Sequence, residues 1–501
     1  MWEHDSAVSH PLSPRNGINQ SDINTAVNGW VAAGRDRGSI DILWSSLLTI
    51  VLCVWVSTHP NALSPKDKWY HGVYDKLNLA MIGLLGPDFL FGIAVGQLSS
   101  ARRSVKQFRQ DQHLCDGKKW TYTQAFFVDM GGIFLKSPDF PDGFPIDAEQ
   151  LHYLVKHSFI DFPDMDSMDI SERNTVDTLS RIITLWQAVW FFITEMDRVK
   201  NGLPITPLEL TALSFTFAMV ATFICWYPKP AISYPRYIET KTRDGQQVTL
   251  NDIRSYARSH THPRLPTTWH RTPLDDITPR IFRIDAYWCF YKRLGDIMHL
   301  HPYGRPIKQE LWDRFPSDLW RPMELIYYPF GGFFIVGFSA SFMIGWNFHF
   351  PSSEEQLIWR LAASYHMFFS LYGAFHWLYE DQKWHRAQKC MRMHHAPVAR
   401  PIVDAEAQRQ QGEQKESRNR TRSFVNRLMT LLRLQVNNSA GKDPSMAVPL
   451  LVIIPNILIS ALYASCRMYF YVEDFVSLRQ QPKGIYLTGN RFLPFIGEMW
   501  K

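Results

Sequence analysis

Cysteine is sparse and scattered in this 501-residue chain: six residues, at positions 53, 115, 225, 289, 390 and 466, form no CxxC and no Cys/His cluster. That spacing gives no basis for a disulfide scaffold or a structural zinc site. The chain also contains no HExxH, no HxxxH, no DDxxD-like acidic run, no GxSxG, no P-loop and no dinucleotide fingerprint. His366 and His376 lie ten residues apart, and His394 and His395 sit in a basic loop without a third ligand at useful spacing. No metal and no cofactor is therefore expected. Charge bias is slight: a formal net charge of +6 gives no reason to expect nucleic acid as a partner. The opening MWEHDSAVSHPLSPRNGINQSD has no apolar h-region, so a cleavable signal peptide is not expected. No internal repeat is visible.

The chain does contain long apolar runs. A mean hydropathy of −0.20 hides them, because polar loops dilute the average. The clearest run, VPLLVIIPNILISALYASCRMYFY from Val448 to Tyr471, carries a single charge, Arg467. A bilayer core is about 30 Å thick and a helix rises about 1.5 Å per residue, so roughly 20 such residues span it. About seven segments approach that length: Ile42 to Thr58, Leu77 to Leu98, Leu179 to Thr194, Pro207 to Tyr227, Leu325 to Trp346, Leu357 to Leu378 and Val448 to Tyr471. The third and sixth are the weakest, the third bracketed by Arg181 and Glu195, the sixth interrupted by Arg360, His366 and His376. The fold class expected is an all-α polytopic transmembrane helical bundle of about seven spans with long cytoplasmic loops. The N-terminal tail covers 1–40, spans 1–2 cover 41–98, and a loop with interfacial segments covers 99–178. Spans 3–4 follow at 179–227, a large loop at 228–322, spans 5–6 at 323–378, a basic loop and linker at 379–447, and the last span with its tail at 448–501.

Basic residues gather after the second, fourth and sixth spans: Arg102, Arg103, Lys106 and Arg109; Lys229, Arg236, Lys241 and Arg243; Lys383, Arg386, Lys389 and Arg392. Seven alternating spans put all three loops on one side, which the positive-inside rule makes cytoplasmic. The N-terminus is then cytoplasmic and the C-terminus lumenal, in an endoplasmic-reticulum location, and the sequons at Asn19, Asn419 and Asn437 stay unglycosylated. Trp44, Trp226, Trp346, Trp359 and Trp377 fall near segment ends, as an interfacial aromatic belt would place them, although core packing is the better account of any single one. The stretch from Asp404 to Arg422 reads as a flexible linker, and the Pro- and aromatic-rich loop from Ala231 to Arg321 as short helices against the membrane surface.

Ionisable groups inside spans are costly and mark candidate sites. Asp88 follows Pro87 in GLLGPDFLFGIAVG, where Gly and Pro loosen the helix and free backbone groups. It is the candidate proton donor; the bland alternative is a helix cap. In CRMYFYVEDFVSLR, Arg467 and Glu473 are too far apart to pair within one helix and are read as reaching other helices, with snorkelling as the alternative. Glu209 begins the fourth span, where a helix dipole already favours an anion. Glu209, Trp186 and Trp346 are taken as substrate-binding residues. With no metal or nucleotide motif, acid–base chemistry on a bound lipophile is the chemistry left to such an enzyme.

Five stretches carry a resemblance: RGSIDILWSSLLTIVLCVW (Arg37 to Trp55), SSARRSVK (Ser99 to Lys106), NGLPITPLELTALSFTF (Asn201 to Phe217), WNFHFPSSEEQLIWR (Trp346 to Arg360) and CRMYFYVEDFVSLRQQPKGIY (Cys466 to Tyr486). Together they are similar to a family of fungal multi-pass membrane proteins that is tied to the membrane-bound terpene cyclase of ascofuranone biosynthesis. The resemblance implies an isomerase of secondary metabolism that opens and cyclises an epoxidised prenyl, meroterpenoid-type precursor. Asp88 would be its general acid, Glu473 a second acid or partner, and Arg467 an electrostatic organiser. It further implies membrane lipids and a lipophilic prenylated small molecule as partners, in association with a prenyltransferase and an epoxidase. The chain departs from the family pattern in two places: FSASFMIG stands where a His is expected in the fifth span, and Pro494, Phe495 and Ile496 stand where Pro-His-Ile is expected. A non-enzymatic multi-pass protein (transporter, receptor or scaffold) is the rival expectation; the missing repeats speak against a transporter.

Overall fold

The computed structural model describes residues 25–34, 36–115, 117–163, 165, 175–230, 235–243, 246–260, 272–274, 277, 282–297, 313–393, 424, 426–432 and 450–487. Sequence features at Asn19, Asn419, Asn437, His394, His395, Pro494 to Ile496 and the Asp404 to Arg422 linker lie outside the described residues. The chain is mostly helical. Strand β1 (Ala26–Asn28) leads into helix α1 (Ser39–Ser57), followed by α2 (Trp69–Leu85) and α3 (Pro87–Gln110). A short α4 (Tyr122–Phe127), a hairpin of β2 (Ile133–Ser137) and β3 (Phe140–Pro145), and α5 (Ala148–Lys156) come next. Helices α6 (Thr175–Lys200) and α7 (Pro207–Trp226) precede β4 (Arg236–Glu239), β5 (Thr242–Arg243), β6 (Gln246–Gln247), α8 (Leu250–His260) and α9 (Arg283–Ile297). Finally come α10 (Tyr328–Ile344), the long α11 (Ser353–Met393), α12 (Leu450–Val476) and β7 (Gln480–Pro482).

Four of the described helices are long and apolar enough to cross a membrane: Ser39–Ser57, Pro207–Trp226, Leu325–Asn347 and Ile453–Arg479. A fifth is added if the pair α2–α3 counts as one span, so seven such segments are not found. The reasons lie in composition and geometry. Helices α6 and α11 carry Arg181 and Glu195, and Glu354, Glu355 and Arg360, within or beside their apolar stretches. The segment expected as one span from Leu77 to Leu98 is broken at Gly86, where the axis turns by 120°. Proline at the first position of α3 has no N–H to continue α2, and it starts a new helix well.

Side-chain contacts fix the two ends of the bundle. At one end Arg37 donates to the Ile485 carbonyl (2.8 Å), Arg198 donates to the carbonyls of Pro204 (2.9 Å) and Leu487 (2.7 Å), and β1 pairs antiparallel with β7. At the other end Arg102 pairs with Glu324 (2.9 Å), Arg103 with Glu149 (3.0 Å), and Arg314 with Asp75 of α2 (2.9 Å). Both halves of the α2–α3 pair are thus tied to the second end, so the pair dips into the bundle and returns. Helices α1, α6, α7, α10, α11 and α12 run between the ends. The strands nearest the two termini consequently lie at the same end, not at opposite ends as seven alternating spans would require. The basic segments after α3, α7 and α11 do share one end, as expected.

That basic end is capped by a small α+β layer in which β2 pairs with β3 and, in parallel, with β4. The all-α expectation missed it, although IFLKS followed by the turn-rich SPDFPDG is a hairpin pattern. Inside the bundle, residues four apart on α10 build an aromatic column: Phe334 stacks on Phe91 (centroids 3.8 Å apart) and Phe342 stacks on Phe470 (4.6 Å). Helix association in lipid depends on packing rather than on water exclusion, so such pairs, about 0.5–1.5 kcal/mol each, matter more than apolar area. Glycines let the backbones close in: a Cβ on Gly96 would lie 2.3 Å from the Arg321 carbonyl oxygen.

Candidate functional site

The break at Gly86–Pro87 sets up the site. In a continuous helix the carbonyls of Leu84 and Leu85 would accept from N–H groups one turn later. The bend turns them aside, and α12 satisfies them instead: Arg467 Nε donates to Leu85 O (3.1 Å) and the Tyr471 hydroxyl donates to Leu84 O. Asp88, in the first turn of α3, has its carboxylate near a helix N-terminus, and it accepts from the Tyr463 hydroxyl at 3.2 Å. Arg467 Nη2 donates to the Tyr471 hydroxyl (3.1 Å). Tyr463, Arg467 and Tyr471 are spaced by four along α12, so one helix face meets both lips of the break.

Arg467 is fully buried, as are Tyr463 and Asp474 to within 1 %, while Asp88 is partly buried. The Arg467 guanidinium lies over the rings of Phe342 (4.9 Å) and Tyr471 (5.3 Å), with Phe215 and Phe338 slightly farther. Arg467 Nη1 and, further along α12, Glu473 Oε1 have no hydrogen-bond partner among the described residues, while Asp474 lies against Thr211. Beside the break, a cleft of about 220 Å³, counting its open part, is lined by Cys53, Val54, Gly83, Pro87, Phe215 and Met219.

Of the residues singled out from sequence, Asp88 and Arg467 come together. Glu473 does not join them: it lies ten residues past Tyr463, about 15 Å along the helix, and its neighbours are Tyr469, Glu355 and Arg479 at the terminal end. Glu209 is likewise elsewhere. It accepts from Thr206 N (2.8 Å) and Thr206 Oγ1 (3.0 Å) as a helix cap, and it pairs with Arg37 in a buried charge cluster with Glu195 and Arg198. Trp186 is 59 % exposed on the outer surface of α6, and Trp346 packs under Arg360 near the end of α10. Neither reaches Asp88. The belt splits too: Trp44 is 54 % exposed, but Trp226 and Trp359 are core residues whose N–H groups are used, Trp226 by Gln97 (3.0 Å) and Trp359 by the Phe342 carbonyl (3.3 Å).

Sequence reasoning missed Tyr463 and Tyr471, although their spacing from Arg467 was a readable signal. It had no signal for a second buried cluster at the basic end. There Lys229, just past α7, donates to His59 O (2.8 Å), Asn61 Oδ1 (3.0 Å) and Gln97 Oε1 (3.0 Å). Burial first, and the Arg181 and Arg321 charges after it, push the Lys229 amine down to about 7. Arg321 in turn pairs with Asp129 (3.3 Å) and donates to Ser100 (2.7 Å). The cluster ties α1, α3 and α7 to the capping layer, which makes it a structural joint.

Residues 15–253, just under half the chain, match a family described as "Family of unknown function (DUF8562)". The matched part runs from the N-terminal region into α8; it contains Asp88 but not α10, α11 or α12. No curated protein and no solved structure matches the chain.

Proposed function

We propose that this chain is an integral membrane enzyme that opens and cyclises an epoxide-bearing prenyl substrate by acid catalysis, a terpene-cyclase reaction of the meroterpenoid kind. The observation that carries this reading is the Asp88–Tyr463–Arg467 group: a carboxyl set on a broken helix inside an apolar bundle, next to a column of aromatic rings. Asp88 as its carboxylic acid would protonate the epoxide oxygen as a C–O bond breaks. A double bond of the prenyl chain then attacks the resulting cation. Aromatic faces stabilise a cation by about 0.5–2 kcal/mol each, and an interior without bulk water keeps it from early quenching. Arg467 contributes by holding the Leu85 lip of the break, and Tyr463 by holding the Asp88 carboxyl. The cleft beside Pro87 has room for about one water, so binding a prenyl substrate would have to part α2–α3 from α7. The motif resemblance of the chain supports the same reading, and a prenyltransferase and an epoxidase would supply such a substrate.

For orientation we propose the basic end in the cytosol, with β1 and β7 on the lumenal side of the endoplasmic reticulum. Its supports are the clustering of Arg102, Arg103, Lys229 and Lys383 near that end and the positive-inside rule.

The test is product analysis of microsomes carrying the full chain, given an epoxidised farnesyl-phenol. A cyclic or hydrated product that disappears in Asp88→Asn supports the reading. No conversion of any of several prenylated epoxides overturns it and leaves a non-enzymatic membrane protein.

A further inference from the structure

His366 is a buried polar side chain that the acid mechanism above leaves unused. It sits on α11, fully buried, and neither Nδ1 nor Nε2 has a hydrogen-bond partner among the described residues. Its surroundings are aromatic: the rings of Phe342, Phe338 and Phe470 lie 4.9, 5.4 and 6.2 Å away, and Tyr463 stacks on it at 5.4 Å with planes 23° apart. Buried polar atoms in folded proteins are nearly always hydrogen-bonded, so one that is not calls for an explanation, and a catalytic role is one. Phenylalanine would fill this aromatic site without leaving two polar atoms unpaired.

The position is as telling as the lack of partners. Tyr463 donates to Asp88 from its hydroxyl and stacks on His366 with its ring, so acid and imidazole flank one tyrosine. A cation formed beside Asp88 would reach the imidazole past Tyr463, on the side of the Phe338 and Phe342 rings that the Arg467 guanidinium does not cover. A neutral imidazole carries a lone pair that can take a proton from the C–H group next to a cation, on the opposite side of Tyr463 from the Asp88 carboxylate.

Resting on the cyclase reading, we propose that His366 is the base that ends the reaction, so that the product is a cyclic alkene rather than an alcohol formed by water capture. The steps balance as an isomerisation. Asp88 gives its proton to the epoxide oxygen, forming an O–H bond as a C–O bond breaks. The alkene pair then forms the new C–C bond. Finally a His366 nitrogen takes a proton from the carbon next to the last cation, and that C–H pair becomes the C=C bond. Asp88 ends without its proton and His366 with one extra, so one proton returns between them before the next cycle.

The experiment compares the full-length wild type, Asp88→Asn, His366→Phe and His366→Gln in microsomes supplied with an epoxidised farnesyl-phenol, with thermal unfolding of each purified variant in detergent. The expected result is that His366→Phe forms the alkene about 100-fold more slowly, diverts substrate to a product heavier by one water, and unfolds at no lower a temperature than the wild type. Wild-type product ratio and rate in His366→Phe, with Asp88→Asn inactive, would overturn the base assignment and leave the cyclase reading standing. A lower unfolding temperature for His366→Phe, with the wild-type product kept by His366→Gln, would mark a packing role and overturn it as well. No conversion by the wild type would remove both proposals.

Discussion

At the scale of single residues, this bundle depends on side chains that satisfy backbone groups displaced by a bend. Tyr463 is the smallest lever on Asp88. Tyr463→Phe keeps the ring that stacks on His366 and removes only the hydroxyl that Asp88 accepts from. A hydrogen bond of this kind is worth about 1–1.5 kcal/mol, so turnover of a converted epoxide should fall about tenfold with little change in fold. A rate equal to the wild type would show that the hydroxyl does not position the acid. Lys229 offers a separate residue-level test, through pH. Its folded-state value of about 7 is below that of a free lysine, so between about pH 7 and 10 the unfolded chain binds more protons than the folded one. Stability should therefore rise with pH across that window, and this contribution is lost as pH falls through 7. Lys229→Met should flatten the slope of unfolding temperature against pH; an unchanged slope would mean that another group titrates there.

At the scale of elements, close approach decides between substitutions that look alike on paper. Gly96 on α3 faces backbone: an added Cβ would meet the Arg321 carbonyl oxygen at 2.3 Å, and neither side can swing away. Gly96→Ala should cost about 1–3 kcal/mol by overpacking and lower the unfolding temperature in detergent. Gly373 on α11 has nothing within 4 Å, so Gly373→Ala should be neutral or stabilise by up to about 1 kcal/mol through helix propensity. Equal effects of the two changes would contradict the tight α3 contact. The element that sequence periodicity treated as one span, Leu77 to Leu98, shows the limit of hydropathy. Its apolar length is real, but Gly86–Pro87 turns it back on itself, and the turn creates the lips that Arg467 and Tyr471 fill.

At the scale of the whole molecule, the pairing of β1 with β7 and the links of Arg198 to the segment after β7 fasten both terminal regions at one end. If the basic end is cytosolic, β1 is lumenal. The sequon at Asn19 should then carry an N-glycan in a secretory host, seen as an endoglycosidase-sensitive mobility shift that Asn19→Gln removes, whereas Asn419 and Asn437 should carry none. A glycan confined to Asn419 or Asn437 would reverse the orientation.

How much could be known beforehand follows from the nature of each signal. Apolar length and charge clustering are local properties of the chain, so the sequence by itself determined a helical membrane-type bundle, the grouping of its basic segments, and Asp88 as an ionisable group at a helix break. Which distant groups meet is a property of helix packing, and it decided the rest. Packing brought Arg467 and Tyr463 of α12 to Asp88, left Glu473 and Glu209 at the end where β1 meets β7, turned Trp186 outward, and buried His366 among rings. A spacing along one helix fixes which residues share a face; it holds no record of which face of which neighbour that surface will find.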